Sequence, residues 1–509
     1  MPCGAKPHVS NVESLVREFG GQKLYGKGSP INLFGIVLRE LIQNARDAVV
    51  ARRFIETDFQ GEICIRLLDD DGGLIVEDNG TGMSRRVMIG PLLDFGNSFW
   101  KSSLVQSEFP GLRSSKFRSI GRFGVGFYSV FMISDQVEIS SRYWDKGLSD
   151  VSTLAFNSGV SLRPILRSGR TGGFQSATST KVTAKLKPEI LASLTPIKLK
   201  PSYAGANVYE CSVEDFTAAF TIGLDVAVRV VSKGRPAVLV HSGKLGDITD
   251  AQQLLIRISF AANRNDKGIL DYISRNHHRI RPVRGTDGTI LGMAAVSDHL
   301  GSGPMLLGIR TVGGLPTSLG VAGADSFIGY LDYLPSSAKR DSDTLEAPKE
   351  ALRVWGEEQL EILEQGGLSD YRRCIIAAHI TEFGVDPIEF ARVPVTINRQ
   401  SCYMSYQSLA LLACAGFKIG IMKTPDMDHA DTYTNVKEFD GVVLIQPIKN
   451  SQSCTLEMTD GEPEAYDSII GCLHRAIRAT GKVPKWELQG TTIPSFFGRA
   501  LELLTVEAV

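Results

Sequence analysis

The sequence lacks several features that would place a protein in a class at once. Its eight cysteines include no C-x-x-C pair and no dense cluster, which indicates reduced thiols and favours neither a disulfide framework nor a zinc site. No apolar run reaches the roughly 20 residues of a membrane-spanning helix. The first ten residues, MPCGAKPHVS, lack the apolar core of a signal peptide. The sequence therefore predicts a cytoplasmic protein with no membrane partner.

An excess of charge of either sign is also missing. The 55 Lys and Arg residues nearly balance the 56 Asp and Glu residues, so the net charge is -1. Nucleic acids and anionic membranes both favour a basic surface, so a protein that mainly coats either of them is disfavoured. At roughly 150 residues per domain, a chain of 509 residues predicts about three domains.

Helical and extended patterns alternate along the chain up to a proline-containing stretch over 188–201, where a domain boundary is expected. The predicted elements before it are helices over 31–53 and 127–134, strands over 62–68, 74–77, 137–142 and 181–186, and a loop with short helices over 95–118. Gly366 and Gly367 separate a third region. The later predicted elements are strands over 227–231, 237–240, 306–310, 327–331, 417–422 and 442–445, and helices over 251–262, 407–415 and 464–479.

A first motif, Glu40-Leu-Ile-Gln-Asn44-Ala-Arg-Asp47-Ala48, lies on the first predicted helix. Glu40, Asn44 and Asp47 are spaced i, i+4 and i+7, so they share one face. A carboxylate can take a proton from an attacking water, and an amide oxygen suits Mg²⁺. A helix with a solvated polar stripe is the alternative.

A second motif, Asp78-Asn79-Gly80-Thr81-Gly82-Met83, directly follows a predicted strand. Gly80 and Gly82 let the backbone turn and let a ligand approach closely. Asp78 can accept a hydrogen bond from an exocyclic amine such as that of adenine. A simple turn at the end of a strand is the alternative.

A third motif runs from Gly121 to Ser129 (GRFGVGFYS) and leads into a helix. Glycines at the start of a helix expose backbone N–H groups, which together with the helix dipole form an anion site suited to phosphates. The sequence contains no G-x-x-x-x-G-K-[ST], which excludes a P-loop.

The order of these motifs, followed by Ser179-Thr180-Lys181-Val182 on a late strand, resembles the GHKL ATPase superfamily. The segments LRELIQNARDA and IGRFGVGFYSVF are similar to sequences of the heat-shock-90 chaperone branch. The resemblance implies an α+β or α/β fold: a Bergerat-fold α/β sandwich ATPase domain, a ribosomal-S5-like middle domain and a small α/β unit. It also implies ATP and Mg²⁺ as cofactors.

The resemblance implies a role for each matching residue. Glu40 matches the general base, Asn44 the Mg²⁺ ligand and Asp78 the aspartate that contacts adenine, while Gly82 lies beside the base and Thr180 belongs to its water network. The implied nucleotide contacts are Asn44, Asp47, Asp78, Gly80, Gly82, Met83, Asn97, Gly121, Phe123, Gly124, Val125, Gly126, Phe127 and Thr180. A mobile lid is expected over about 93–119.

Two later stretches also resemble the chaperone family. In Gly329 to Asp341 a Leu-Pro pair precedes Arg340 by five residues, and the resemblance implies that Arg340 reaches the ATP γ-phosphate and is catalytic. An exposed basic loop is the alternative, and the family's companion asparagine is Ser337 here. The stretch 415–441 is similar to the small α/β unit that closes the chaperone middle domain.

Together these features predict four segments: an ATP-binding domain over 1–190, an S5-like middle or transducer domain over 195–365, a small α/β unit over 366–450, and a short helical C-terminal tail over 451–509. The predicted function is that of an ATP-dependent, heat-shock-90-like chaperone that changes the conformation of a protein client or effector. Two alternatives remain: a GHKL nucleotide switch that regulates a partner, and a DNA-acting GHKL ATPase, which the neutral charge disfavours. A nucleotide-dependent homodimer is expected rather than a constitutive one.

Overall fold

The protein is described from a computed structural model. The structure describes residues 29–67, 72–115, 117–121, 124, 126–169, 173–200, 207–232, 234–245, 250–260, 263, 265–299, 307–317, 326–335, 345–423, 441–445, 458–459, 462–463, 468–492 and 500–509. The described residues within Met1–Ser274, Ile309–Ala322 and Tyr330–Glu346 form one compact unit, and those within Arg275–Gly308, Gly323–Gly329 and Ala347–Val509 form a second.

The helices are α1 (Pro30–Ile55), α2 (Arg85–Ile89), α3 (Leu104–Glu108), α4 (Pro188–Ser193), α5 (Val213–Phe220), α6 (Ala251–Ser259), α7 (Lys267–Asn276), α8 (Lys349–Glu364), α9 (Asp370–Ile380), α10 (Tyr406–Cys414) and α11 (Ile469–Ala479). Within the part of the chain that the structure describes, none of them is long and apolar enough to cross a membrane.

The strands are β1 (Glu62–Leu67), β2 (Gly73–Asp78), β3 (Gln136–Ser141), β4 (Ser152–Phe156), β5 (Ile165–Ser168), β6 (Thr180–Lys185), β7 (Ile197–Leu199), β8 (Tyr209–Cys211), β9 (Ala227–Ser232), β10 (Val238–Ser242), β11 (Arg281–Arg284), β12 (Ile290–Val296) and β13 (Gly308–Val312). After them come β14 (Leu315–Pro316), β15 (Phe327–Asp332), β16 (Leu334–Pro335), β17 (Leu345–Glu346), β18 (Val393–Ile397), β19 (Gln400–Met404), β20 (Lys418–Lys423), β21 (Val442–Ile445), β22 (Met458–Thr459), β23 (Glu462–Pro463), β24 (Pro484–Thr492) and β25 (Ala500–Ala508).

Helix α1 carries the first motif and packs on the sheet of the first unit. It begins with Pro30 in its first turn and ends with Arg52 and Arg53 in its last turn, which suits the free N–H groups and the dipole at the two ends. The apolar residues expected on its inner face are all buried, namely Leu38, Leu41, Ile42, Ala45 and Val49. Because the apolar face is buried in the core, the orientation of the neighbouring polar face relative to the sheet is fixed.

The sheet of the first unit has eight strands in the order β10-β9-β1-β2-β6-β3-β4-β5. Its neighbouring strands are antiparallel apart from β1 and β9, which are parallel. The predicted hairpin of β1 and β2 is present, with Ile63 opposite Asp78. Helix α1 contacts both of these strands, and this helix-on-sheet arrangement confirms the predicted α/β sandwich.

The sheet does not stop at the predicted boundary near residue 190. Strands β9 and β10 follow that boundary, yet β9 pairs with β1 along its whole length, from Ala227 opposite Glu62 to Ser232 opposite Leu67. The alternate residues Val228 and Val230 are fully buried, because they complete the apolar face of the sheet. The proline-containing stretch holds α4 and β7 and lies within the same compact unit.

The second unit contains a six-stranded sheet in the order β19-β18-β21-β20-β25-β24. Strands β20 and β21 are parallel, as the crossover expected for a small α/β unit requires, while residues 424–440 between them lie outside the described residues. Helices α10 and α11 pack against each other, and both contact the β24–β25 hairpin. The segments 366–450 and 451–509 therefore share one sheet.

The expectation of a helical tail over 451–509 holds only for α11. Strands β24 and β25 follow it and pair from Pro484 opposite Ala508 to Thr492 opposite Ala500. Leu503, Leu504 and Val506 are buried in β25, and this apolar content suits a half-buried strand better than an exposed helix. A second difference concerns the predicted helix over 127–134, which is a 3-10 helix over Gly126–Met132.

Candidate functional site

The polar face of α1 forms one wall of a pocket in the first unit. Glu40 is only 5% exposed, and a Cβ on Gly126 would lie 2.1 Å from its Oε2. Asn44, one turn later, is exposed, and a Cβ on Gly121 would lie 3.6 Å from its Oδ1. Glycine at 126 therefore lets the backbone pass directly over the Glu40 carboxylate, while Gly121 lies in ordinary contact with the carboxamide.

Asp78 ends β2 and lies in the same pocket, where its Oδ1 accepts a hydrogen bond of 2.9 Å from the Gly80 N–H. Among the described residues, no group donates a hydrogen bond to Oδ2. Burial raises the pKa of Asp78 to about 7; the Gly80 N–H acts against the rise and the neighbouring Glu77 adds to it. A ligand that donates to this carboxylate would stabilise its charged form.

Side chains from two neighbouring strands support the region around Asp78. The Ser141 hydroxyl accepts from the Met83 N–H at 2.9 Å and lies 3.0 Å from the Thr180 hydroxyl. A Cβ on Gly82, which has a φ of +64°, would lie 1.8 Å from the Arg142 carbonyl oxygen, so only glycine fits there. The sequence-based prediction included Thr180 and Gly82 but missed Ser141, whose only signal was its place at the end of a predicted strand.

The described residues of the third motif, called the glycine loop below, are bound to residues 96–98 near the start of the predicted lid segment, called the lid base below. The Gly96 N–H donates to the Gly124 carbonyl at 3.2 Å, and the Ser98 hydroxyl donates to the Gly121 carbonyl at 2.7 Å. Gly124 has a φ of +66°, and a Cβ there would lie 2.3 Å from the Asn97 carbonyl carbon. Two hydrogen bonds and one close backbone approach therefore join the glycine loop to the lid base.

Asp47 holds the beginning of this loop on α1. Its carboxylate accepts from the N–H groups of Ile120 at 3.0 Å and Gly121 at 2.8 Å, and Arg46 lies 3.2 Å away. Burial raises the pKa of Asp47, while Arg46 and the two amides act against that rise. Asp47 was expected to contact the nucleotide; the structure places it behind the loop, outside the pocket wall.

The segment predicted to be a lid, about 93–119, contains short helices as expected. The 3-10 helices Pro91–Leu93, Phe99–Lys101 and Leu112–Ser114 flank α3, and Val105, Phe109 and Leu112 form a small core with Ala51 of α1. The Phe109 and Tyr143 rings stack at 5.5 Å. These contacts pack the segment against Ala51 of α1 and against the Tyr143 ring.

The pocket brings most of the predicted residues together. Its wall includes Glu40, Asn44, Asp78, Gly82, Met83, Asn97, Gly121, Gly124, Gly126, Phe127 and Thr180. It also includes Ser98, Phe99 and Trp100 of the lid, which the sequence-based prediction did not single out. Gly80 packs behind the wall, where a Cβ would lie 2.5 Å from the Ala48 backbone, while Phe123, Val125 and Arg340 lie outside the described residues.

The two ends of the pocket offer different chemistry. At one end, a buried carboxylate and hydroxyl groups suit the polar edge of a base. At the other, a glycine loop leads into the Gly126–Met132 helix, beside a carboxylate and an exposed carboxamide. The amide oxygen of Asn44 fits Mg²⁺, which prefers oxygen ligands and is held by few protein groups together with substrate phosphates.

This fold and pocket define a nucleotide-binding domain of the GHKL class. Residues 31–161 match the family of histidine kinase-, DNA gyrase B- and HSP90-like ATPases, which confirms the resemblance for this segment.

Individual relatives point to the heat-shock-90 branch. The chain is 39% identical to the chaperone protein HtpG of Rhizobium etli over 117 residues, which cover 21% of this chain and 18% of the relative. It is 37% identical to the mitochondrial heat shock protein 75 kDa of Bos taurus over 130 residues, which cover 25% and 18%. For HtpG of Buchnera aphidicola, the identity is 37% over 149 residues, which cover 27% and 23%. The chain therefore spans about a fifth of the length of the curated relatives it matches.

Proposed function

We propose that this protein is an ATP-hydrolysing, heat-shock-90-like protein that uses ATP binding and hydrolysis to change the conformation of a partner protein. The observation that carries the proposal is the convergence of Glu40, Asn44 and Asp78 in one pocket. They come from two separate motifs, and the glycine loop lies over the first two of them.

The two ends of the pocket suggest how ATP is oriented. The Asp78 carboxylate accepts a hydrogen bond from the adenine amine, and Ser141 holds Thr180 and the Met83 backbone around the base. The remaining N–H groups of the glycine loop bind phosphate oxygens, while the Gly121 N–H stays bonded to Asp47. Adenine and the phosphates therefore occupy opposite ends.

The Glu40 carboxylate is the proposed general base for ATP hydrolysis. It faces Gly126 at the phosphate end, where it takes a proton from the attacking water. Asn44 would hold Mg²⁺ through its amide oxygen, and the bound ion would supply positive charge beside the phosphates. Arg340 adds a further positive charge to that group in this proposal, as its resemblance to the chaperone loop implies.

The test is ATP turnover by the full chain and by Glu40→Ala. We expect the variant to bind ATP with unchanged affinity and to lose at least about 10²-fold in turnover, because a general base contributes on that scale. Glu56→Ala is a matched control, because Glu56 is bonded to Arg52 at the end of the same helix, away from the pocket. Equal turnover by Glu40→Ala and the wild type would refute the assignment.

A second assay addresses the partner. We expect an aggregating model client to change the turnover rate of the wild type and not the residual rate of Glu40→Ala. A chain that binds ATP tightly but turns it over no faster than Glu40→Ala would instead support the nucleotide switch.

A further inference from the structure

A two-residue hairpin turn lies against the start of the glycine loop. Gly313 and Gly314 join β13 to β14 with φ values of +62° and +79°, and Val312 pairs with Leu315 across them. Two positive φ values are typical of a type I′ turn, which favours glycine. A Cβ on Gly313 would lie 2.3 Å from Cδ1 of Ile120, so the Ile120 side chain packs directly on the turn.

Asp332 fixes this turn from one side. Its Oδ1 accepts from the Gly314 N–H at 2.9 Å and from the Thr311 hydroxyl at 2.8 Å. From another side, the Gly223 N–H donates to the Gly314 carbonyl at 3.1 Å. The turn therefore has little freedom to move away from Ile120.

Ile120 connects the turn to the nucleotide pocket. Its N–H and that of Gly121 are the two amides held by Asp47, and Gly121 lies beside Asn44. A shift of Ile120 would therefore move the first glycine of the loop.

The neighbouring contacts reinforce this connection on α1. Arg46, which adjoins Asp47, forms two hydrogen bonds of 2.8 and 2.6 Å with Asp225, two residues after Gly223. Arg39, which adjoins Glu40, donates to the carbonyls of Pro316 and Thr317 at 3.3 and 3.2 Å. The hairpin thus contacts the helix next to the proposed general base as well as the loop.

We propose that Asp332, acting through the Gly313–Gly314 turn and Ile120, is a positioning residue for the phosphate end of the nucleotide site. The proposal rests on the proposed function, because it concerns the same pocket. Asp332 is not part of the pocket wall; it holds the turn that holds the loop.

The proposal predicts a selective defect. The groups around Asp78, namely Gly80, Ser141 and Thr180, make their hydrogen bonds among themselves and with Ser179 and Met83. Loosening the turn should therefore leave the binding of adenosine intact. It should misplace the loop relative to the phosphates, and a misplacement of about 1 Å can cost about 10²-fold in rate.

The experiment compares three variants of the full chain. For Asp332→Ala we expect ATP turnover to fall by about 10–10²-fold with the adenosine Kd unchanged. Asp332→Asn should recover most of the turnover, because its amide oxygen still accepts from the Gly314 N–H. Asp287→Ala is the control: Asp287 also accepts hydrogen bonds in a hairpin turn, from Thr289, but it is exposed and belongs to the second unit.

Two outcomes would overturn the proposal: wild-type turnover by Asp332→Ala, or a loss of adenosine affinity as large as the loss of turnover, which would indicate general damage to the fold. If Asp332→Ala does not fold, Ile120→Ala must show the same selective loss, and wild-type turnover by Ile120→Ala would overturn the proposal.

A wild-type chain that binds neither adenosine nor ATP would contradict the proposed function itself. If the wild type binds ATP without hydrolysing it, the ratio of ATP to adenosine affinity replaces turnover, and an unchanged ratio in Asp332→Ala overturns the proposal.

Discussion

The two ends of the pocket are built in different ways. At the end proposed to bind adenine, the adenine end, Asp78, Ser141 and Thr180 lie on three neighbouring strands, and Thr180 is the register partner of both other residues. At the phosphate end, the glycine loop takes its support from Asp47, from the lid base and from the turn at Gly313. A strand ladder fixes its members by its own hydrogen bonds, whereas the loop depends on contacts from several separate elements outside that ladder.

This difference separates recognition from hydrolysis. Binding of the base should depend on residues between Asp78 and Thr180, all within the matched segment or close to it. Hydrolysis should also depend on residues beyond 220, because they hold the loop that is proposed to bind the phosphates. Changes at one end should therefore leave the other end largely intact.

The largest expected effect is on the adenine end, in the Gly82→Ala variant. Its Cβ would meet the Arg142 carbonyl at 1.8 Å, which adds an overpacking cost of about 1–3 kcal/mol to a left-handed φ cost of about 1–2 kcal/mol. Gly96→Ala is the matched control, since its φ is +86° and no atom lies within 4 Å of the new Cβ. We expect calorimetry to show a clearly larger loss of Tm for Gly82→Ala, and equal losses would contradict the close packing described for this strand end.

A second prediction uses the pKa of Asp78, which burial raises to about 7. Because the ionised carboxylate accepts more strongly from the adenine amine than the protonated carboxyl does, adenosine affinity should be full above this pKa and should weaken as the pH falls through it. Between pH 8 and pH 6 we expect a loss of up to about tenfold, the ratio of the ionised fractions. Asp78→Asn should bind adenosine more weakly by about 1–3 kcal/mol at high pH.

Asp78→Asn should also show no such pH dependence, because its side chain does not titrate. Titration calorimetry with adenosine avoids the titration of phosphate groups. A wild-type affinity that is constant from pH 8 to pH 6, or the same pH dependence in Asp78→Asn, would contradict the assignment of Asp78 to the base.

The smallest expected effect is on the phosphate end, in Ser98→Ala. This change removes one hydrogen bond from the lid base to the Gly121 carbonyl, worth about 0.5–1.5 kcal/mol. We expect ATP affinity to fall by less than about tenfold, with adenosine affinity unchanged. Ser107→Ala removes a similar bond within the lid, to the Leu104 carbonyl, and should change neither affinity; equal effects of the two variants would remove the special role of the lid base.

The sequence predicted the site where local pattern decides the structure. Helix α1, the β1–β2 hairpin and the short helices of the lid follow from periodicity, turn residues and polarity, and the motifs they carry meet in the pocket as expected. Ser141 could not be selected because its role depends on the register between β3 and β6. The role of Asp47 could not be separated from a nucleotide contact, because spacing on a helix does not show what covers a side chain.

The parts that were not predicted depend on distant pairing. Strand β9 was expected, but its parallel partner β1 lies far away in the sequence. Local pattern therefore did not show that β9 belongs to the first unit, and the predicted domain boundary over 188–201 precedes it. The Gly313–Gly314 pair is a typical hairpin signal, but its contact with Ile120 depends on the fold and not on local pattern. Helix α8 was also not predicted, although its buried residues Leu352, Trp355 and Leu363 have the spacing of a helix face.

The most direct test of the central claim is phosphate release by the wild-type chain with ATP and with GTP as alternative substrates. GTP carries a carbonyl where ATP carries the amine, so it would place an acceptor against the Asp78 carboxylate, while its phosphates are the same. A buried polar site that loses its partner discriminates strongly, and we expect kcat/KM for GTP to be lower by about 10²-fold or more. Equal turnover of the two nucleotides, or ATP turnover no faster than that of Glu40→Ala, would contradict the account.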